Sequence, residues 1–273
     1  MSFQPVLPLE GYVGWRFLQR TLQAQTEAHA NTPVAQRDES YVREKIGSIS
    51  SAQELVSDRR LLRVALTAFG LADDLPNRAF IEKVLESPTK DTGSFVNRLT
   101  DKRYHTLAKA FGFGDGLVPR SQFAGFPDQL IQKFHDRSFE EAVGAQDETM
   151  RLALSLERDL GDLARQDSSE ATKWYTVLGT PSLRAVFETA YLLPSSFGTL
   201  DIDRQVEILR DRTDRLTGNE SIAQFSDPEA LDTLTRRFVL SEQVQQIQSQ
   251  SRGSSALALL QNGQASLNNL LGR

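Results

Sequence analysis

Apolar positions recur at steps of three and four along most of the chain, and that spacing predicts helices. Residues 1–11 are the exception. Pro5 and Pro8 remove backbone donors there, which predicts an extended start. Trp15, Leu18 and Leu22 then form a narrow apolar stripe flanked by Arg16, Gln19, Arg20, Gln23, Gln25 and Glu27. A stripe this narrow fits a helix laid against one partner better than one in a wide core. Two arrangements stay open: the helix folds back on the body, or it pairs with the other terminal helix or a neighbouring subunit. Asn31-Thr32-Pro33 ends it.

The next apolar pattern predicts a helix near 52–69 carrying Leu55, Leu62, Val64, Ala65, Leu66 and Phe69, stopped by Gly70. Asp73-Asp74-Leu75-Pro76 reads as a helix start, and Ser87-Pro88 as its end. Short helices near 93–99 and 101–111 follow. Gly112 to Pro127 is rich in glycine and predicts a hinge. One long helix is expected over about 128–166, then helices at 169–178, 181–192, 202–214, 228–238 and 240–251. No period-two run reaches sheet length.

The pattern therefore predicts an all-α, multi-helix bundle. Its expected parts are an N-terminal segment with an amphipathic helix (1–50), a helical module (51–112), a Gly-rich linker (113–127), a long central helix (128–168), a second module (169–240) and C-terminal helices (241–273) with a hinge near 251–255. The blocks at 60–111 and 181–238 also look alike. Leu62-Arg63 answers Leu183-Arg184, Val84-Leu85 answers Ile208-Leu209, and Leu107 and Phe111 answer Leu234 and Phe238. A duplicated module would give two similar lobes; helices of similar length can also align this way by chance.

Composition narrows the chemistry. The 273 residues suffice for a buried core, and 39% hydrophobic with 25% charged residues is ordinary for a globular chain. The net charge of −5 argues against nucleic acid as the main ligand, because phosphate binding needs a concentrated cationic surface. No cysteine is present, which excludes disulfides and thiolate chemistry. No apolar run approaches the roughly 18–20 residues of a membrane span, and the first residues do not make a cleavable signal peptide.

Catalytic patterns are missing as well. His29, His105 and His135 do not form a zinc-binding spacing, no phosphate-binding loop follows the Walker pattern, and no G-x-S-x-G occurs. The sequence assigns no catalytic residue, cofactor or metal ligand. The weakest of three functional alternatives is an unfamiliar helical active site around Asp101, Arg103 and His105. The partner-binding candidates lie at the ends. They are Trp15, Leu18 and Leu22, and then Ala256, Leu260, Leu267, Leu270 and Leu271. The latter group follows coiled-seam spacing in a stretch without charge between Gly253 and Gly272.

Several motifs occur in an ordered series: Gly14-Trp15-Arg16-Phe17-Leu18-Gln19, the run from Arg59 to Leu66, Ala68-Phe69-Gly70-Leu71, Phe95 to Tyr104, Ala110-Phe111-Gly112-Phe113 and Met150 to Leu154. Over roughly 12–240 this series resembles a bacterial family of unknown function whose genes often lie in flagellar clusters, some members carrying the label of flagellar basal-body rod protein. The resemblance implies a non-enzymatic structural or assembly role at the flagellum or basal body. The implied partners are other flagellar proteins or further copies of the chain, held through the terminal helices. A cytoplasmic export chaperone or regulator is the alternative. Rod proteins also carry β-rich regions, which this sequence does not predict.

Overall fold

Helix caps explain where the elements begin. In the computed structural model, which describes residues 3–116 and 118–248, Thr32 accepts from the Ala35 N–H, Ser51 from Glu54, Asp147 from Met150 and Ser169 from Thr172. Each such cap is worth about 1 kcal/mol. The helices are α1 (Gly11–Ala30), α2 (Pro33–Lys45), α3 (Ala52–Ser57), α4 (Arg59–Ala68), α5 (Arg78–Leu85), α6 (Phe95–Arg98), α7 (Lys102–Phe111), α8 (Phe126–Gly144), α9 (Glu148–Arg165), α10 (Glu170–Leu178), α11 (Pro181–Ala190), α12 (Ile202–Thr217) and α13 (228–248). Short 3₁₀ turns join several of them, and no strand occurs among the described residues. The fold is all-α, as the periodicity predicts.

Three expected boundaries move. The helix expected near 52–69 splits at Asp58, whose extended backbone ends α3 while its carboxylate caps α4 through Arg60 and Leu61. The Asp73–Pro76 start is a 3₁₀ turn, and α5 begins only after Asn77. The long helix expected over 128–168 is a hairpin of α8 and α9. Asp147 starts a new helix, and Gly144 lies so close to Arg151 that an added Cβ would sit 2.4 Å from its Cδ. Paired contacts run in opposite directions, Arg137 with Asp159 and Glu140 with Ser155, so the two helices are antiparallel. Conversely, the two helices expected at 228–238 and 240–251 are continuous through 248.

Two large apolar clusters form the interior. The first gathers Val42 and Ile46 from α2 with α3, α4, parts of α5 and α7, and Leu130, Ile131 and Phe134 of α8. The second gathers Phe139 and Val143 of α8 with α9 to α13 and takes Trp15 and Leu18 from α1. Helix α8 therefore spans both clusters, and it is this helix, rather than one of 41 residues, that joins them. The expected N-terminal unit 1–50 is divided between the two, α1 on the second cluster and α2 on the first. Parts of the Gly-rich segment are anchored to the body. Ser121 is fully buried and donates to the Ile49 carbonyl at 2.7 Å, and a Cβ on Gly114 would lie 2.4 Å from the Glu86 carbonyl.

The two blocks that look alike share local geometry. Helix α4 ends in a paired closure, Leu71 N–H to Leu66 O and Gly70 N–H to Thr67 O. Helix α11 ends in the same closure, Leu193 N–H to Glu188 O and Leu192 N–H to Thr189 O. Both need a left-handed residue, Gly70 at φ 68° and Leu192 at φ 52°. A leucine there carries a steric cost of roughly 1–2 kcal/mol, and glycine regains part of it in unfolded-chain entropy. Because Leu192 is exposed, Leu192→Gly is expected to stabilise the protein by about 0.5–1 kcal/mol, read as a raised thermal midpoint.

Candidate functional site

The terminal residues singled out by the sequence do not stand free. Trp15 and Leu18 have no exposed surface and pack into the second cluster, while Leu22 is half-buried against it. This corrects their assignment as a partner-facing stripe: the fold-back arrangement occupies them. The physical reason is that α1 lies on apolar side chains of α8 and α9, which leaves the stripe no outward face. Ala256, Leu260, Leu267, Leu270 and Leu271, with the hinge at 251–255, lie outside the described residues.

Helix α1 nevertheless pairs with α13. Arg16 and Asp232 form an ion pair at 3.5 Å, the Arg236 guanidinium lies 5.5 Å from the Tyr12 ring centre, and Gly11 abuts Gln243. Around this seam lies an exposed apolar surface that the apolar spacing alone does not single out. Leu240, Val244 and Ile247 share one face of α13 at steps of four and three, and Val244 and Ile247 are 50% and 59% exposed. Leu9 and Val13, at the entrance to α1, are also exposed. The spacing of 240, 244 and 247 is legible in the sequence. Which face of α13 the body covers is not.

Residues 3–9 run back along α1 as an extended strap. Gln25 receives the Val6 N–H at 2.7 Å and donates to the Val6 carbonyl at 3.2 Å, and the Gln146 amide donates to the Pro5 carbonyl at 2.9 Å. The Phe3 ring packs against His29 and Phe139, with ring centres 5.2 and 6.3 Å away. Gly14 lets the chain pass, since any Cβ there would overlap the Leu9 carbonyl.

His29 contacts the Ser138 hydroxyl at 3.1 Å, and His135 pairs with Glu39 at 3.2 Å. Both Nδ1 atoms are buried without a hydrogen-bond partner. Burial, and then the nearby His135, lower the His29 pKa below its ordinary 6.5. The folded state thus prefers neutral His29, so its contribution to stability is complete above pH 6.5 and is lost as pH falls through the lowered folded value. The same sign applies to His105, whose pKa burial also lowers. The thermal midpoint is expected to fall on acidification below pH 6.5, and His29→Gln should flatten that slope without abolishing it.

A second candidate is the junction between the clusters. Lys102, Arg103, Lys133, Arg137, Arg158 and Asp159 help line a cavity of about 200 Å³ there. Beneath it, Arg137 places one nitrogen 3.0 Å from both oxygens of Asp159, Arg158 pairs with Asp159 at 3.1 Å and contacts Glu140, and Ser155 donates to Glu140 at 3.1 Å. Desolvation lowers the Arg158 pKa despite these partners. A backbone bond from the Lys102 N–H to the Gly179 carbonyl at 2.9 Å crosses the same junction. These groups mostly satisfy one another and tie helices together. Asp101 and Arg103 are brought together, with Arg103 donating to both Asp101 carboxylate oxygens, the closest at 2.7 Å, while Asp101 also caps α7 and Arg103 reaches the Gly70 carbonyl. His105 does not join them and is turned to the Thr89 backbone. Among the described residues no group of three or more His, Asp or Glu side chains is placed to hold a metal ion, and no helix is long and apolar enough to cross a membrane.

Comparison with known proteins gives a family and a solved structure. The family described as "Protein of unknown function (DUF1217)" matches residues 68–231, more than half of the chain, and the chain belongs to it. The crystal structure of protein AGR_C_984 from Agrobacterium tumefaciens is similar at 27% identity with a TM-score of 0.72, covering 89% of this chain and 99% of that one. No curated protein matches.

Proposed function

We propose that this member of the DUF1217 family is a non-enzymatic structural or assembly protein of the bacterial flagellum that acts through helix–helix contacts at the seam of its terminal helices. The observation that carries the interaction role is the exposed row Leu240, Val244 and Ile247 on α13, beside exposed Leu9 and Val13. Apolar residues at helical spacing on one solvent face are what a partner helix buries. The flagellar setting comes from the resemblance of the ordered sequence motifs alone.

The body supports this role because the charges at the junction of its clusters are largely paired with one another, and its histidines sit at packing positions. The Ser138 hydroxyl beside His29 donates to the His135 carbonyl at 3.2 Å, so its proton is not directed at the imidazole. Val244→Asp with Ile247→Asp is expected to abolish capture of flagellar components from cell extracts while leaving the thermal midpoint within a few degrees, since both side chains are exposed. Removing residues 253–273 is expected to weaken capture further. Undiminished capture by both variants refutes the mechanism. Fractionation into cytosol, envelope and sheared filament tests the setting: recovery with the filament or envelope supports an incorporated component, and recovery from cytosol alone replaces it with the transient chaperone.

A further inference from the structure

We infer that the apolar pocket between the end of α4, α7 and the start of α8 binds a small apolar carboxylate, with its hydrocarbon in the pocket and its head held by Arg120 and Lys133. The site is separate from the α1–α13 surface and does not depend on the flagellar reading.

The pocket has a volume of about 450 Å³ and is lined by Phe69, Ala110, Phe123, Phe126 and Leu130, with Arg120, Gln129 and Lys133 as its polar side chains. A mostly apolar cavity of roughly 300–1,000 Å³ with a few polar groups is the usual form of a small-molecule site. Its lining holds two cations and no acid, although the chain as a whole carries a net charge of −5. The head that such a lining selects is an anion.

Both cations are available to a ligand. Among the described residues, neither the Arg120 nor the Lys133 side chain makes an ion pair or a hydrogen bond. Acids nearby in sequence or in the adjoining cavity are already occupied. Asp115 accepts from the Thr89 N–H and hydroxyl, Asp136 accepts from Gln132 at 3.0 Å, and Asp162 pairs with Arg165 at 2.8 Å. Lys133 also lines the junction cavity beside Arg103 and Arg137. There Arg103 has Asp101 and Arg137 has Asp159, while Lys133 has no acid of its own. A planar guanidinium matches the two oxygens of a carboxylate, and an ammonium adds a second positive charge.

The turn that carries Arg120 and Phe123 is held in place before any ligand arrives. Between them, the buried Ser121 hydroxyl donates to the Ile49 carbonyl at 2.7 Å. The Phe123 N–H donates to the Arg120 carbonyl at 3.0 Å, and the Phe123 carbonyl accepts from the Phe126 N–H at 2.9 Å. Arg120 lies against Gly112 at the end of α7, where an added Cβ would be 3.4 Å from its Cγ and Nε. These contacts fix Phe123 with 55% of its surface in solvent. A rim fixed in this way loses little freedom on binding, and a hydrocarbon laid against Phe123 removes apolar surface from water.

The test titrates the full chain with decanoate below its micelle concentration, followed by calorimetry and by amide chemical shifts. One-to-one binding is expected, with the shifted amides gathered within 110–133 rather than within 240–247. Decyltrimethylammonium, equal in chain length and opposite in charge, should bind about tenfold more weakly. This comparison needs no variant, so the charge selection is read on the unaltered protein. R120E/K133E changes two exposed side chains; it should lose about tenfold of the decanoate affinity and favour the cationic amphiphile. F123S should weaken both amphiphiles and keep the preference for the anion. Four results overturn the proposal: no decanoate binding, shifts centred on Leu240, Val244 and Ile247, equal affinity for the two amphiphiles, or decanoate affinity unchanged by R120E/K133E.

Discussion

Trp15→Ala is expected to lower the unfolding free energy by about 3–5 kcal/mol, the range for truncating a fully buried large aromatic. Trp15 has no exposed surface and belongs to the same apolar cluster as Leu18, Phe139 and Met150. Its removal leaves a cavity on the face by which α1 holds the body, so the loss combines transfer and cavity costs. Urea unfolding measures it as a lower midpoint at unchanged slope. Val13→Ala, two residues away but exposed, should change stability by less than about 0.5 kcal/mol. Equal effects of the two changes would mean that α1 does not sit on the core by this face. The contrast also separates stability from binding, because Val13 and not Trp15 lies on the surface assigned to partners.

Glu140→Ala is expected to cost about 3–5 kcal/mol, as does breaking other buried ion networks by removing one member. Glu140 is nearly buried. It faces Arg158, accepts from Ser155 at 3.1 Å and lies 3.5 Å from Arg137. Its loss strands the Arg158 guanidinium, two of whose nitrogens make no hydrogen bond and whose pKa burial lowers. The penalty is desolvation of a charge left short of its counter-charge, not the worth of the pair. Glu140→Leu with Arg158→Met removes both charges together and should recover most of the loss, with a coupling of roughly 1–3 kcal/mol in the double-mutant cycle. An additive cycle would show that the two groups do not depend on each other. Because α8 and α9 meet here at the boundary between the clusters, the same variant should loosen the junction, read as faster amide exchange in both helices.

The local signals in the sequence lie where side chain and backbone answer each other over a few residues. The starts expected at 169 and 228 follow from the short-range chemistry of Ser169 and Asp227-Pro228, and the structure places helices there. Gly70 and Gly112 mark helix ends for the same reason. Asp58 and Asp147 carried the same signal within apolar patterns that continue past them. Periodicity outweighed them, and α3–α4 and α8–α9 read as unbroken helices. A cap costs a helix little to ignore in a pattern, but together with Gly144 against Arg151 it decides the break.

The candidate surface was less legible. A stripe is apolar whether it faces a core or a partner, so Trp15 and Leu18 could not be distinguished from Val244 and Ile247 by spacing. The deciding quantity is the area each loses to residues more than a hundred positions away, such as Phe139 and Met150 in the cluster that takes in Trp15. The strap was legible as extended, through Pro5 and Pro8, but its grip by Gln25 and Gln146 was not, because a glutamine side chain gives no sign in sequence of which backbone it will meet.

The sequence by itself determined the helical class, the extended start and the absence of thiol chemistry, because each follows from composition or from contacts within a turn. Only the tertiary structure decided the rest. It divided the first fifty residues between two clusters and folded the central segment into a hairpin. It buried the stripe on α1 and left the face of α13 in solvent. These are long-range packing outcomes, set by which apolar faces meet, and no local pattern specifies that choice.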